Sequence, residues 1–332
     1  MLFHFIALTP FGQQACTSIS SRAMESFVKV HGDGIRFPGM QHSHHDRCGC
    51  DKVQHSSEPH VLISMTQEAF YKAHIIGERG TCKFDAGLEV GALHNPAPVP
   101  HCARGGMLYV DQATPAELAK LYPELSGSTF TKAHLIDDGN VLKLVPTASR
   151  GFLIASNVIE HMPNTLLAVE AWLRVLRVGG IALIRCPWKC ATFDRSRPVT
   201  SWSHFVDDYR RGQGVETDSS ADSLWMEHLA EWTLSDLQAG CGNGDIENIV
   251  SGACALRFNE TYSRFEEDVR HGSFKKRGGM HFHTWTLQSW LTFWTRAPAV
   301  LKAKVRFEVQ AVGLNQDDNN LIVVLKKRPP AH

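Results

Sequence analysis

The stretch from Gly151 to Lys189, GFLIASNVIEHMPNTLLAVEAWLRVLRVGGIALIRCPWK, constrains the fold more than any other, because it spells strand, helix and strand in succession. FLIAS, Phe152 to Ser156, is a short apolar run closed by the polar Asn157, as suits a strand buried on both faces. After Pro163, the residues Leu166, Leu167, Val169, Trp172, Leu173, Val175 and Leu176 recur every three or four positions and make one apolar helix face. Arg174 and Arg177 are expected in the last turns, where cations suit the helix dipole, and Gly179-Gly180 is expected to let the chain leave the helix with positive φ. IALIRCP, Ile181 to Pro187, is the second buried strand. Such a βαβ unit has a right-handed crossover and implies a parallel sheet with helices on both faces.

The flanks extend the pattern. Strands are predicted at Ala86 to Val90, at Met107 to Asp111 and within AHLIDD, which closes on Asp137 and Asp138. TPAELAKLYPEL predicts a helix with Thr114 as N-cap and Pro115 as first residue. SMTQEAFYKAHII predicts an earlier helix, and a short one is expected near Ser20 to His31. After Lys189 the alternation stops: WSHFVDDYRRG, SLWMEHLAEW and TYSRFEEDVRHG read as helical pieces between polar links. TLQSWLTFW then predicts a helix, and KVRFEVQAVG, LNQDDNN and LIVVLKK predict a closing antiparallel hairpin. The expected architecture is α/β: a doubly wound, mostly parallel seven-stranded sheet with a C-terminal antiparallel hairpin and a helical insertion. Residues 1–60 are read as a loosely ordered N-terminal extension and 61–330 as one domain, with an insertion or lid at about 190–280.

Composition excludes some partners. Lys+Arg 34 balances Asp+Glu 34 in 332 residues, so no global field draws the chain to nucleic acid or to an anionic membrane. No apolar run is long enough for a membrane span, and the start MLFHFIALTPFGQQAC lacks the basic residue of a secretory signal, so the cytoplasm is the expected compartment. Nine cysteines, among them Cys186, Cys190 and Cys254 inside predicted elements, read as scattered thiols. HSHHDRCGC crowds His42, His44, His45, Cys48 and Cys50, but paired cysteines at zinc spacing do not repeat, so no metal site is expected.

In doubly wound sheets ligands bind beyond the carboxyl ends of the strands. Those ends carry Glu89 and Gly91, Asp111, Asp137 and Asp138, and Ser156-Asn157 with Glu160-His161. Several acids at one edge favour a ligand with hydroxyls and positive charge over a bare polyphosphate. Neither a G-x-G-x-x-G fingerprint nor a Gly-Lys-Ser/Thr loop is present: the run after Val90 is Gly91-Ala92-Leu93-His94-Asn95-Pro96. An adenosyl sulfonium has no phosphate, and Asp111 lies twenty residues past Gly91, where an acid can bind both ribose hydroxyls.

LEVGALHNP, YVD, LIDDGN, ASNVIEHMPN, WLRVLRVGG and the closing hairpin resemble the class I, Rossmann-like S-adenosylmethionine-dependent methyltransferases. PWKCATFDRSRPVTSWSHFVDDY and HFHTWTLQSWLTFW look like a bacterial-type branch with V-x-E-H in the fourth motif; the resemblance covers about residues 64–328. It implies S-adenosyl-L-methionine as cofactor, with Glu89 and Gly91 at the methionine end, Asp111 on the ribose, Asp138 or its neighbour by the adenine, and Ser156 and Asn157 where cofactor and acceptor meet. The implied activity is methyl transfer to oxygen or nitrogen of a small-molecule or sugar-containing acceptor. The alternative is a degenerate methyltransferase fold that binds or scaffolds without catalysis.

An oxygen acceptor calls for a general base, and His161, His204, His281 and His283 are candidates. His161, just after strand four, is nearest the chemistry by topology. His281 and His283 share a face if their segment is extended. Asp194, Arg195 and Arg197 either orient an acceptor or pair on the surface, and Trp285, Trp290 and Trp294 are expected in the core.

Overall fold

The structure is a computed structural model that describes residues 67–77, 80–99, 106–211, 228, 263, 267, 280–315 and 318–330. The expected helix near Ser20 to His31, HSHHDRCGC and most of the insertion lie outside the described residues.

The described elements follow the order read from the sequence: α1 (Gln67–His74), β1 (Gly87–Val90), β2 (Met107–Asp111), α2 (Pro115–Leu121), β3 (Leu135–Ile136), β4 (Arg150–Ser156), α3 (Thr165–Val175), β5 (Leu176–Pro187), α4 (Trp202–Arg211), α5 (Leu287–Leu301), β6 (Arg306–Leu314) and β7 (Asn320–Arg328). The seven strands form one sheet in the order β3-β2-β1-β4-β5-β7-β6. Strands β1 to β5 pair in parallel, and β7 runs antiparallel to both β5 and β6. The chain winds outward from β1 through β2 to β3, then reverses to β4, so the switch point lies between β1 and β4.

Alternation along the strands divides the core in two. Leu153, Ala155, Ala182, Ile184, Val323 and Leu325 face α3 and α5, which contribute Trp172, Leu173, Trp290 and Trp294. Phe152, Ile154, Ile181, Leu183, Ile322 and Val324 point the other way and share a core with Phe70 and Tyr71 of α1 and with Ile75 just beyond it. Both faces are covered, which is why the central strands read as unbroken apolar runs. Trp285, Trp290 and Trp294 are all core, as expected. Thr114 caps α2 through a full capping box with Glu117.

Three expectations are corrected. Helix α3 ends at Val175, so Arg177 and Gly179-Gly180 belong to β5 rather than to the helix exit. The cause is sheet pairing: Leu176 is captured opposite Arg150 and Ile181 opposite Phe152, so residues 177–180 form a bulge, in which Gly179 takes φ 81°. Strand β3 shrinks to Leu135–Ile136 because only Val110 and Asp111 offer it partners at the sheet edge. Cys190, like Cys82, is in a disulfide rather than a free thiol, whereas Cys186 is free and buried; Cys254 lies outside the described residues. Among the described residues no helix is long and apolar enough to cross a membrane.

Candidate functional site

The first acid at the switch point is Glu89, nearly sealed from solvent. Its carboxylate accepts the Ala97 N–H at 3.0 and 3.1 Å, which folds the loop after β1 back over the strand. Burial pushes its pKa up to about 7, only partly opposed by that amide. Gly91 follows with φ 66°, and a Cβ there would sit 2.8 Å from a methyl of Val158. Leu93, where the resembled family has a further glycine, also takes positive φ, at 46°. The left-handed turn is therefore kept without the glycine.

That turn serves Asp111, the acid closing β2. Asp111 is buried, accepts the Gln112 N–H at 2.8 Å, and is reached by the Leu93 amide. Burial raises its pKa to about 6 despite these donors. Asp138 accepts the Asn140 N–H at 2.8 Å, holding the loop after β3. Asn140 itself is buried with neither side-chain amide atom paired, and the Ser156 hydroxyl at the end of β4 is likewise buried and unpaired. Asn157 beside it holds φ 54°. The described edge thus carries two buried acids and two unsatisfied polar groups, a set suited to a cationic ligand rich in hydroxyl and amino groups.

Beyond β4 the chain makes a short turn through Glu160 and His161. Glu160 is sealed in: its carboxyl oxygens accept no hydrogen bond, Oε1 lies 3.8 Å from His161 Nε2, and burial raises its pKa well above the ordinary value. His161 Nδ1 lies 2.7 Å from the Met280 carbonyl, which can only accept, so Nδ1 carries the proton and Nε2 the lone pair. Burial, with His281 beside it, lowers the His161 pKa to about 3. His281 stacks edge-on against it at 4.9 Å between ring centres, and its Nδ1 lies 2.5 Å from Asp194. Burial alone would raise the Asp194 carboxyl, but the bond to His281 and the charge of Arg197 hold it below its ordinary value. Arg197 is buried, bonding Asp194 at 2.9 Å and the His281 carbonyl at 2.8 Å, which corrects the surface pair considered for it. Ligand-type atoms of Glu160, His161 and His281 all lie within 4.8 Å of one another, so the three side chains form one cluster.

His281 and His283 do not share a face: the segment turns between them. His283 joins His204 in a different cluster, with Asp208 and His228. The sequence left three groups unassigned: Asn140, although LIDDGN stood out; Asp194 as the partner of His281; and Glu160 as a sealed carboxyl. The apolar residues Val158, Ile159 and Met162 around Glu160 were the signal available for the last.

The strand order, with β7 antiparallel between β5 and β6, is that of the class I S-adenosylmethionine-dependent methyltransferase fold. No protein-family model matches the sequence, and no curated protein does. Among solved structures, the chain is similar to the CurJ carbon methyltransferase at 12% identity over 74% of this chain and 48% of that one, with a TM-score of 0.32. It is similar to a SAM-dependent methyltransferase from Aquifex aeolicus at 7% identity, over 79% and 88% of the two chains, with a TM-score of 0.34. The trans-methyltransferase CalH complex with SAH shows 13% identity over 73% and 51%, at a TM-score of 0.32. The chain thus spans about half the length of CurJ and CalH.

Proposed function

We propose that the chain is a methyltransferase that takes S-adenosyl-L-methionine at the β1–β2–β4 edge and methylates an oxygen or nitrogen of a small-molecule or sugar-containing acceptor. The observation that carries this reading is the pair of buried carboxylates, Glu89 and Asp111, set beside a left-handed turn at the switch point with no phosphate-binding loop. Asp111 would take the ribose hydroxyls, Glu89 and Gly91 the methionine end, Asp138 and Asn140 the adenine side, and Ser156 and Asn157 the meeting point with the acceptor. The cofactor supplies an electrophilic methyl on a sulfonium; the chain aligns the acceptor and removes its proton.

Two histidines stand at the acceptor end, and their environments assign different roles. His161, held by Met280 and depressed to about 3, stays neutral and presents Nε2 as a hydrogen-bond acceptor. His281 is the proposed general base, because Asp194 accepts from its Nδ1 and so leaves Nε2 free to take the acceptor's proton. Replacement of His281 by Ala is expected to lower kcat by about a hundredfold or more while leaving cofactor affinity unchanged, and Asp194→Asn to do so in part; equal loss in both parameters would assign the pair to structure.

Calorimetric titration with S-adenosylmethionine and S-adenosylhomocysteine, with NADH as control and Asp111→Ala alongside, tests the cofactor. Micromolar binding lost in the variant is the expected result. Absence of binding to both sulfur ligands would favour the second reading, a methyltransferase fold that binds or scaffolds without catalysis; the observation on its side is that both Glu89 oxygens already hold the Ala97 amide. A cytoplasmic location requires that the disulfides of Cys82 and Cys190 be reduced in the cell, since reducing compartments keep such pairs as thiols. Nucleic acid and membrane are not partners in this reading.

A further inference from the structure

Helix α4 places His204 and Asp208 four residues apart, hence on one face. His283, from the segment that leads into α5, and His228 meet them there. From Asp208 Oδ2 the three imidazole Nε2 atoms lie at 3.3 Å (His204), 3.7 Å (His228) and 3.8 Å (His283). All four donor atoms fall within 4.8 Å of one another. The rings of His204 and His228, and of His228 and His283, stand nearly perpendicular with centres 4.8 and 4.7 Å apart, so they converge on a point rather than stack.

None of these four atoms has a hydrogen-bond partner, although Asp208, His228 and His283 are 2%, 0% and 1% exposed. The ion-pair partners of Asp208 are these histidines, and the charge of Arg211 on the same helix also acts on its carboxyl. The surroundings are dry and aromatic: Phe205 packs on His283, Phe282 on His228, and Trp285 lies behind. Buried polar atoms that face one another without bonding are what a ligand set looks like without its ion. Metal to nitrogen or oxygen bonds of about 2.0–2.1 Å put tetrahedral ligands about 3.3–3.4 Å apart. The three spacings from Asp208 match that edge after a shift of a few tenths of an ångström, and the imidazole nitrogens need only close from within 4.8 Å of one another.

We propose that His204, Asp208, His228 and His283 form a tetrahedral site for a divalent transition metal, zinc first, that is structural and separate from the methyl-transfer site. Three neutral imidazoles and one carboxylate suit the borderline character of zinc, and four protein ligands leave no open position for substrate. The ion joins α4, His228 and the 280–286 segment. That segment also carries His281, so the ion would fix the strap on which the proposed base sits.

Tag-free protein grown with zinc and purified without chelators is assayed for metal content by mass spectrometry and for melting temperature. About one zinc per chain is expected from this site, with a melting temperature that falls on chelation and recovers on adding zinc. Asp208→Ala and His283→Ala should each remove that equivalent, while Glu160→Gln, in the neighbouring cluster, should retain it. Because buried variants can fail to fold, His204→Gln, at a partly exposed position, is added; it should remain folded by circular dichroism and lose at least tenfold in zinc affinity against a chromophoric chelator. Cobalt-substituted protein should show the intense visible absorption of four-coordinate cobalt. Zinc-free wild type that takes up no zinc at micromolar concentration would overturn the proposal. So would zinc retained by folded His204→Gln with undiminished affinity, or zinc lost only in Glu160→Gln.

Discussion

Glu89 sits in an apolar strand between Leu88 and Val90, and that much of its situation is written in the sequence: a carboxylate there must be paired or protonated. What pairs with it, the Ala97 amide eight residues on, is a property of the folded loop. The raised pKa has a consequence for stability. The native state keeps the Glu89 proton up to about pH 7, whereas the unfolded chain releases it near 4.5. Between those values the native state binds more protons, so stability falls as pH rises through the window, and the full penalty stands above it. Glu89→Gln keeps an acceptor for Ala97 and removes the titration. The variant is expected to be more stable than the parent by on the order of 2–3 kcal/mol at pH 8 and equal to it near pH 4. Urea unfolding at the two pH values checks this; an equal gain at both would show that ionisation is not the cause. The histidines teach a related lesson, because residue type named His161 and His281 as candidate bases, but only the Met280 carbonyl and Asp194 distinguish their roles.

The loop after β1 shows how an element keeps a geometry while its sequence drifts from the usual composition. Gly91 and Leu93 both occupy positive φ, at 66° and 46°. At Gly91 a side chain also meets Val158, so Gly91→Ala combines backbone strain with a clash and is expected to cost about 1–3 kcal/mol and to abolish cofactor binding. At Leu93 the strain is already present in the native chain. Leu93→Gly relieves it while adding freedom to the unfolded state, so its net effect is expected to stay within about 1 kcal/mol with the turn preserved. Thermal unfolding of the two variants side by side tests the contrast; similar large losses would mean that the Leu93 side chain, rather than the turn, carries the loop. Elsewhere local signals sufficed. Thr114 and Pro115 announced α2, and the capping box is there. Gly179-Gly180 misled because a glycine pair can end a helix or form a bulge, and the choice fell to the Leu176–Arg150 pairing.

At the scale of the whole molecule, the winding of the sheet brings the ends of β1, β2 and β4 together and sets two acids with raised pKa values, about 7 and about 6, at one edge. A cationic cofactor binds their ionised forms more tightly, so the affinity for S-adenosylmethionine is expected to rise from pH 5 to pH 8 and to flatten above it, with the rise reduced in Glu89→Gln. Calorimetry across that range gives the profile; affinity independent of pH would remove these carboxylates from the cofactor's surroundings. For the described residues, the sequence by itself determined which elements form, their order and the closing hairpin, though not every boundary, because periodicity, capping and apolar runs act over a few residues. The tertiary structure alone decided which polar groups meet. His281 reaches Asp194 across 87 positions and His161 reaches Met280 across 119, while His204, Asp208, His228 and His283 converge from three separate segments. These encounters depend on how irregular segments close over the sheet, and no local preference encodes that closure.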